Sequence, residues 1–177
     1  MSIKRILLIG GPGTGKSTLI KALEALEYRV HHEISREVTL EAQRQGIEQL
    51  FLEDPMAFSN RLLAGRIEQY KNADHGINFY DRGIPDVPAY HEFTGDPIPQ
   101  EYIVACKKHR YDLVFTLPPW KAIYKSDNER YESFDQAVEI SRILENYYSS
   151  LGYDPITIPT GSIDKRIAFI KNHSDIE

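Results

Sequence analysis

A glycine-rich run between a strand-like and a helix-like segment constrains this chain more than any other feature. The run is Gly10-Gly11-Pro12-Gly13-Thr14-Gly15-Lys16-Ser17-Thr18. The seven residues before it, Ile3 to Ile9, are apolar apart from Lys4-Arg5 and read as a short buried strand. The segment 18–26 after it reads as a helix. Glycines admit backbone angles that a side chain forbids. Successive N–H groups can then turn inward toward an anion, with the helix dipole adding positive potential. Gly10 to Ser17 fit the G-x-x-x-x-G-K-[ST] phosphate-loop pattern, in the strand–loop–helix context it requires. The residues expected to cradle a nucleotide are therefore Gly11, Pro12, Gly13, Thr14, Gly15, Lys16, Ser17 and Thr18. Lys16 reaches the β- and γ-phosphates of ATP in this reading, and the Ser17 hydroxyl ligates Mg²⁺.

The rest of the composition narrows the setting. A chain of 177 residues can bury a core as one domain, expected over 1–177. The net charge of −5 offers no general basic face for a nucleic acid. The single cysteine, Cys106, cannot form an internal disulfide, which fits a reducing, cytoplasmic setting. Cys106 reads as a small core residue in a helical run. No stretch approaches the roughly 18 apolar residues needed to span a membrane. The first strand begins at residue 3, so no signal peptide is expected ahead of it.

Strand-like and helix-like segments alternate, which predicts an α/β fold with a parallel sheet. Strands are expected at 3–9, 28–32, 77–81, 112–117 and 155–159. Helices are expected at 18–26, 55–73, 134–148 and 162–172. Asp54-Pro55 supplies a cap and a first-turn proline, and Leu62, Leu63, Ile67 and Tyr70 recur at helical spacing. Gly76 is expected to close that helix. Ligands of such sheets bind beyond the carboxyl ends of the strands.

The residues there carry the candidate chemistry. Glu33, Arg36 and Glu37 follow the second strand and share one face if a helix begins there. They read either as an acceptor of a hydroxyl proton with an anion-binding Arg36, or as a surface ion-pair cluster. Asp81-Arg82-Gly83 follow the third strand. Asp81 can hold Mg²⁺ through water or act as a base, and Arg82 can bind a phosphate or the substrate. Gly83 is expected to allow a sharp turn, with Asp81 as a helix cap the alternative. After the fourth strand, residues 118–132 read either as a cationic lid, with Trp120 packing its hinge and Arg130, or more weakly Lys125, the candidate for charge on the transferring group, or as a solvated charged loop. Thr160-Gly161-Ser162 read either as a close approach to the nucleotide base or as a plain helix cap.

Together these residues resemble the small NadR-like AAA ATPase/kinase domains, whose relatives include nicotinamide riboside, deoxynucleoside and thymidylate kinases. The resemblance rests on 10–18, Glu33 with Arg36, Asp81-Arg82-Gly83, Leu117-Pro118-Pro119 leading to Asp127-x-x-Arg130, and Leu151-Gly152-Tyr153. It implies a three-layer P-loop NTPase fold with a five-stranded parallel sheet in the order 2-3-1-4-5. It further implies ATP with Mg²⁺ as donor and a small-molecule phosphoryl acceptor: a nucleoside, nucleotide or riboside. It makes Glu33 or Asp81 the base, Arg82 the anchor of substrate or phosphate, and Arg130 the lid arginine. Thr160 and Gly161 fall beside the donor nucleotide, and Arg36 and Arg61 are candidates for the acceptor, with Phe58, Asn60 and Gln69 on the same helix as Arg61.

A nucleotide-dependent regulatory switch acting through a protein partner is the competing reading. Motor-type AAA proteins place Asp-Glu where this chain has Asp81-Arg82. The guanine-reading Asn-Lys-x-Asp of GTPases is not matched by Lys171-Asn172-His173-Ser174-Asp175. Both differences favour phosphoryl transfer.

Overall fold

The computed structural model describes residues 2–125 and 132–175. It contains one five-stranded parallel sheet in the order β2-β3-β1-β4-β5. The strands are β1 (Ile3–Ile9), β2 (Arg29–His31), β3 (Gly76–Asp81), β4 (Leu113–Thr116) and β5 (Ile156–Thr157). The helices among the described residues are α1 (Lys16–Ala25), α2 (Ser35–Arg44), α3 (Leu50–Glu53), α4 (Pro55–Lys71), α5 (Asp86–Thr94), α6 (Gln100–Lys108), α7 (Phe134–Ser150) and α8 (Ile163–His173). None of them is long and apolar enough to cross a membrane.

The central strand explains the layering. Ile6, Leu7, Leu8 and Ile9 of β1 are all fully buried, as expected of a parallel strand covered on both faces. Their side chains alternate between two cores. Ile6 and Leu8 join Leu19, Ile20 and Leu23 of α1 and Ile167 and Ile170 of α8. Leu7 and Ile9 face the other way, onto Ala89 of α5 and Ile140, Leu144 and Tyr148 of α7. Each such aliphatic side chain contributes about 2 kcal/mol on burial. A third cluster binds α4, α5 and α6 through Leu62, Leu63, Val87, Tyr102 and Cys106. Burial raises the Cys106 thiol pKa to about 12, which suits packing and not nucleophilic chemistry.

The register brings the strand ends to one edge. Leu8 pairs with Asp81, and Ile9 pairs with Thr116. Gly10, Arg82 and Leu117 therefore leave the sheet side by side. Arg82 N–H donates to Leu8 O and Leu117 N–H to Ile9 O, at 3.1 and 2.9 Å.

Local signals account for the helix starts. Asp54 accepts from Ala57 N–H with Pro55 behind it, and Ser133 and Gln136 form a reciprocal capping box at α7. Ser162 accepts from Lys165 N–H at α8. Two expected glycine roles differ. Gly76 does not close α4, which ends at Lys71; with φ at +94° it opens β3 instead. The positive φ after β3 lies on Arg82, at +71°, and not on Gly83. Gly83 is small for want of space: a Cβ there would stand 2.8 Å from Leu7 Cδ2 and 3.0 Å from the Tyr148 hydroxyl.

Candidate active site

The phosphate loop folds as its glycines require. Gly10, Gly13 and Gly15 have φ of +146°, +73° and +86°, and Gly15 forms the left-handed N-cap of α1. A Cβ at Gly10 would stand 2.6 Å from Leu117 O, and one at Gly11 2.6 Å from Ala137 O. Gly11 N–H donates to Ser141 Oγ of α7 at 3.0 Å, and Thr14 Oγ1 to Gly11 O at 3.1 Å. Pro12 lies between these two anchors in the turn. Gly11 is therefore braced from α7, and the turn from Gly11 to Thr14 is closed by its own hydrogen bond.

Lys16 is 6% exposed and donates to Gly10 O, Gly11 O and Thr14 Oγ1 at 2.8, 3.0 and 3.3 Å. Burial, and then the nearby Arg82, bring its pKa down to about 7 against the pull of Asp81, Asp86 and Glu33. An anion in the loop would supply the counter-charge that this ammonium lacks.

Ser17 stands on the first turn of α1 with its Oγ 3.4 Å from Asp81 Oδ2, a long contact across the end of β3. Asp81 is 3% exposed, and its Oδ1 is buried with no hydrogen-bond partner. Burial raises its pKa, with Lys16 and Arg82 opposing. A hydroxyl and an under-satisfied carboxylate, both hard oxygen donors, fit Mg²⁺, which takes few protein ligands and keeps waters and phosphates for the remainder. No cluster of three or more His, Cys, Asp or Glu side chains competes for a metal among the described residues.

Glu33 lies between the end of β2 and the start of α2. Its Oε2 is 2.6 Å from Arg82 Nε, and its Oε1 is 3.3 Å from Arg66 Nη2 and accepts Ser35 N–H at 2.8 Å. The Arg82 contact is short without hydrogen-bond alignment, since Oε2 accepts no well-directed donor. Burial alone would raise the Glu33 pKa, but Arg66, Arg82 and the Ser35 N–H reverse this and hold it at about 2. Arg82 also donates to the Tyr90 hydroxyl at 3.1 Å. Glu33, Arg82, Asp81, Ser17 and Lys16 thus lie along one edge of the sheet.

Other candidates fall elsewhere. Arg36 lies in the first turn of α2. Arg61 donates to Gln45 at 2.9 Å and lines a groove with Glu37, Val38, Gly65 and Gln69, while Arg66 takes the place beside Glu33. Asn60 accepts from the Tyr102 hydroxyl, Gln69 donates to His32 O, and Phe58 packs against α5 and α6. Asp127 and Arg130 lie outside the described residues.

Beside the loop is a cavity of about 380 Å³ lined by Gly13, Gly15, Thr18, Trp120, Gly161 and Arg166, among others. Gly161 and Thr18 line it, and Ser162 beside Gly161 lines it and also caps α8. Thr160 is exposed just ahead of it. The segment after β4 forms the outer wall. A Cβ at Gly13 would stand 2.6 Å from the Tyr124 ring and one at Gly15 3.4 Å from Ile123. Arg166 is 2% exposed, lies 5.7 Å from the centre of the Trp120 ring, and donates to Thr14 O at 3.4 Å.

Sequence reasoning missed Arg66, Asp86 and Arg166. Each had a signal. Arg66 falls four residues after Leu62 and three after Leu63, and Arg166 falls three after Ile163 and four before Ile170. Both are charges on the apolar face of a helix, where a charge is costly unless it is paired. Asp86 sits in the first turn of α5 and is fully buried.

Comparisons with known proteins agree with this architecture. The structure of deoxyadenosine kinase from M. mycoides with dCMP and dCDP superposes with a TM-score of 0.68 at 16% identity, covering 97% of this chain and 98% of that one. NadR protein in complex with NR superposes with a TM-score of 0.72 at 17% identity, covering 99% of this chain and 52% of that one. NadR in complex with NAD and AMP-PNP gives 0.66 at 18% identity, over 99% and 50%. The chain thus spans about half of NadR. No curated protein matches it in sequence. The profile of the AAA domain matches residues 5–166, nearly the whole chain. With its phosphate loop, its 2-3-1-4-5 sheet and the fold of NadR-like P-loop kinases, the chain belongs to the AAA-domain family.

Proposed function

We propose that this protein is a kinase that transfers the γ-phosphoryl group of ATP to a hydroxyl of a nucleoside-like small molecule. The observation that carries the reading is the pairing of Glu33 with Arg82 beside Asp81 and Lys16. A carboxylate set between two arginines at the end of the sheet suits the hydroxyl of a polar acceptor larger than water. The deoxyadenosine kinase and NadR structures support the same reading, the first holding deoxynucleotides and the second NR.

In this reading the loop N–H groups and Lys16 bind the donor phosphates, and the cavity between Trp120 and Arg166 takes the donor's base and sugar. Ser17 and Asp81 would hold Mg²⁺, which supplies charge neutralisation at the β- and γ-phosphates. That assignment leaves Glu33 to accept the hydrogen bond of the attacking hydroxyl. A carboxylate with a pKa of about 2 is a weak proton acceptor. Phosphoryl transfer through a loose transition state asks little of its base beyond orientation, so an ionised Glu33 suffices. Arg82 neutralises charge between acceptor and transferring group, and Arg130 in the proposed lid at 118–132 adds to it.

The test is a panel of nucleosides, deoxynucleosides and ribosides with Mg·ATP, read as ADP release and as phosphate gained by the acceptor. Acceptor-dependent release supports the proposal. Slow ATP hydrolysis indifferent to every acceptor, but stimulated by a protein partner, would overturn it in favour of a regulatory switch.

A further inference from the structure

Asp86 is a fully buried carboxylate with no part in the chemistry above. Its two oxygens have different surroundings. Oδ2 accepts from Gly83 N–H at 2.9 Å and from the Tyr148 hydroxyl at 2.7 Å. Oδ1 accepts no hydrogen bond among the described residues and faces Arg82 Nη1 at 3.8 Å. A buried charge demands a partner, and Arg82 is the cation it faces.

These residues surround an uncommon backbone conformation. Arg82 has a φ of +71°, in the left-handed region that a long side chain rarely adopts. Such a conformation persists only where its surroundings over-determine it. Here Gly83 N–H is fixed by Asp86, Gly83 O accepts from Arg66 Nη1 at 3.2 Å, and a Cβ at Gly83 would stand 2.8 Å from Leu7 Cδ2 and 3.0 Å from the Tyr148 hydroxyl. Tyr148 is itself buried in α7, seven residues after Ser141, which accepts from Gly11 N–H. Seven residues make about two helical turns, so both contacts come from one face of α7. One rigid helix therefore braces the phosphate loop at one point and the Arg82 turn at another.

We infer that Asp86 and Tyr148 form a positioning pair that fixes the Arg82 guanidinium against Glu33. They act on the acceptor side of the reaction through Arg82, without touching substrate. The inference rests on the kinase reading for its kinetic consequence, but not for its structural one.

The experiment pairs Tyr148→Phe, which removes one hydroxyl and keeps the ring, with Asp86→Asn. Two readouts are taken on each. The first is the ¹⁵N–¹H signal of Arg82 Nε, assigned by its loss in Arg82→Lys. It is expected sharp and slowly exchanging in the wild type, and broadened toward the position of free arginine in Tyr148→Phe. The second is kinetic. Acceptor kcat/KM should fall about tenfold in Tyr148→Phe while the KM for ATP holds within about twofold. In an Arg82→Lys background, Tyr148→Phe should add almost nothing, because it acts through the group already altered. An unchanged Arg82 signal in Tyr148→Phe, or full additivity with Arg82→Lys, would overturn the inference. If no acceptor is phosphorylated by the wild type, the kinase reading alone fails, and the Arg82 signal still decides the positioning role.

Discussion

Glu33 Oε2 and Arg82 Nε stand 2.6 Å apart, joining the end of β2 to the turn after β3. The two residues are 49 positions apart, and only the parallel pairing of β2 with β3 brings them together. Glu33→Gln keeps the shape of the side chain and removes its charge. It should lower kcat by about 100-fold or more, the range typical for loss of a positioned acid–base group. ATP affinity should be little changed, since Glu33 is not part of the loop. Steady-state kinetics with titration of an ATP analogue checks both halves.

The same ion pair sets an acid limit on stability. The Glu33 pKa is held at about 2 in the fold, against an ordinary value of 4.5. A depressed carboxylate adds stability that is fully present above the ordinary value and is lost as pH falls through the folded one. The wild type should therefore lose urea resistance between about pH 4.5 and pH 2 more steeply than Glu33→Gln. Parallel slopes for the two proteins would remove Glu33 from the acid response.

Lys16 behaves in the opposite sense. Its pKa is about 7 in the fold against an ordinary 10.5, so it is only partly charged near neutrality. The unfolded chain binds more protons between these values, and stability should rise with pH across that window. A triphosphate seated beside Lys16 restores its charge, so ATP binding at pH 8 should take up a proton. Calorimetry in buffers of different ionisation enthalpy reads that uptake directly. Lys16→Ala should abolish it, along with productive nucleotide use.

Trp120 is the single tryptophan of the chain and walls the cavity beside the phosphate loop. Nucleotide entering that cavity should change its fluorescence, whereas inorganic tripolyphosphate should change it much less. Arg166→Ala should weaken ATP more than tripolyphosphate. It should also cost stability, by about 1–3 kcal/mol, because Thr14 O loses a donor.

The short-range parts of this site are legible in the sequence. The phosphate loop, the buried β1 and the Asp81-Arg82 pair all depend on short-range pattern: a glycine spacing, an apolar run, a charge at the end of a strand. The residues that were not legible depend on tertiary packing. Arg66 lies in the very stripe of α4 that holds Leu62, Leu63 and Ile67, and its partners Glu33 and Gly83 come from other elements. Arg61, one turn earlier and more polar in setting, pairs with Gln45 instead. Gly83 reads as the residue of a sharp turn because glycine often supplies a positive φ, but Arg82 carries that angle and Gly83 yields space to Leu7 and Tyr148.

In the proposed reaction Glu33 and Arg82 direct a phosphate to an acceptor hydroxyl instead of to water. Phosphorus NMR of the protein with Mg·ATP and a nucleoside panel tests it most directly. The expected result is a new phosphomonoester resonance that grows in step with ADP and falls at least about 100-fold in rate in Glu33→Gln. Inorganic phosphate as the sole product, formed at the same rate with and without every acceptor, would contradict it.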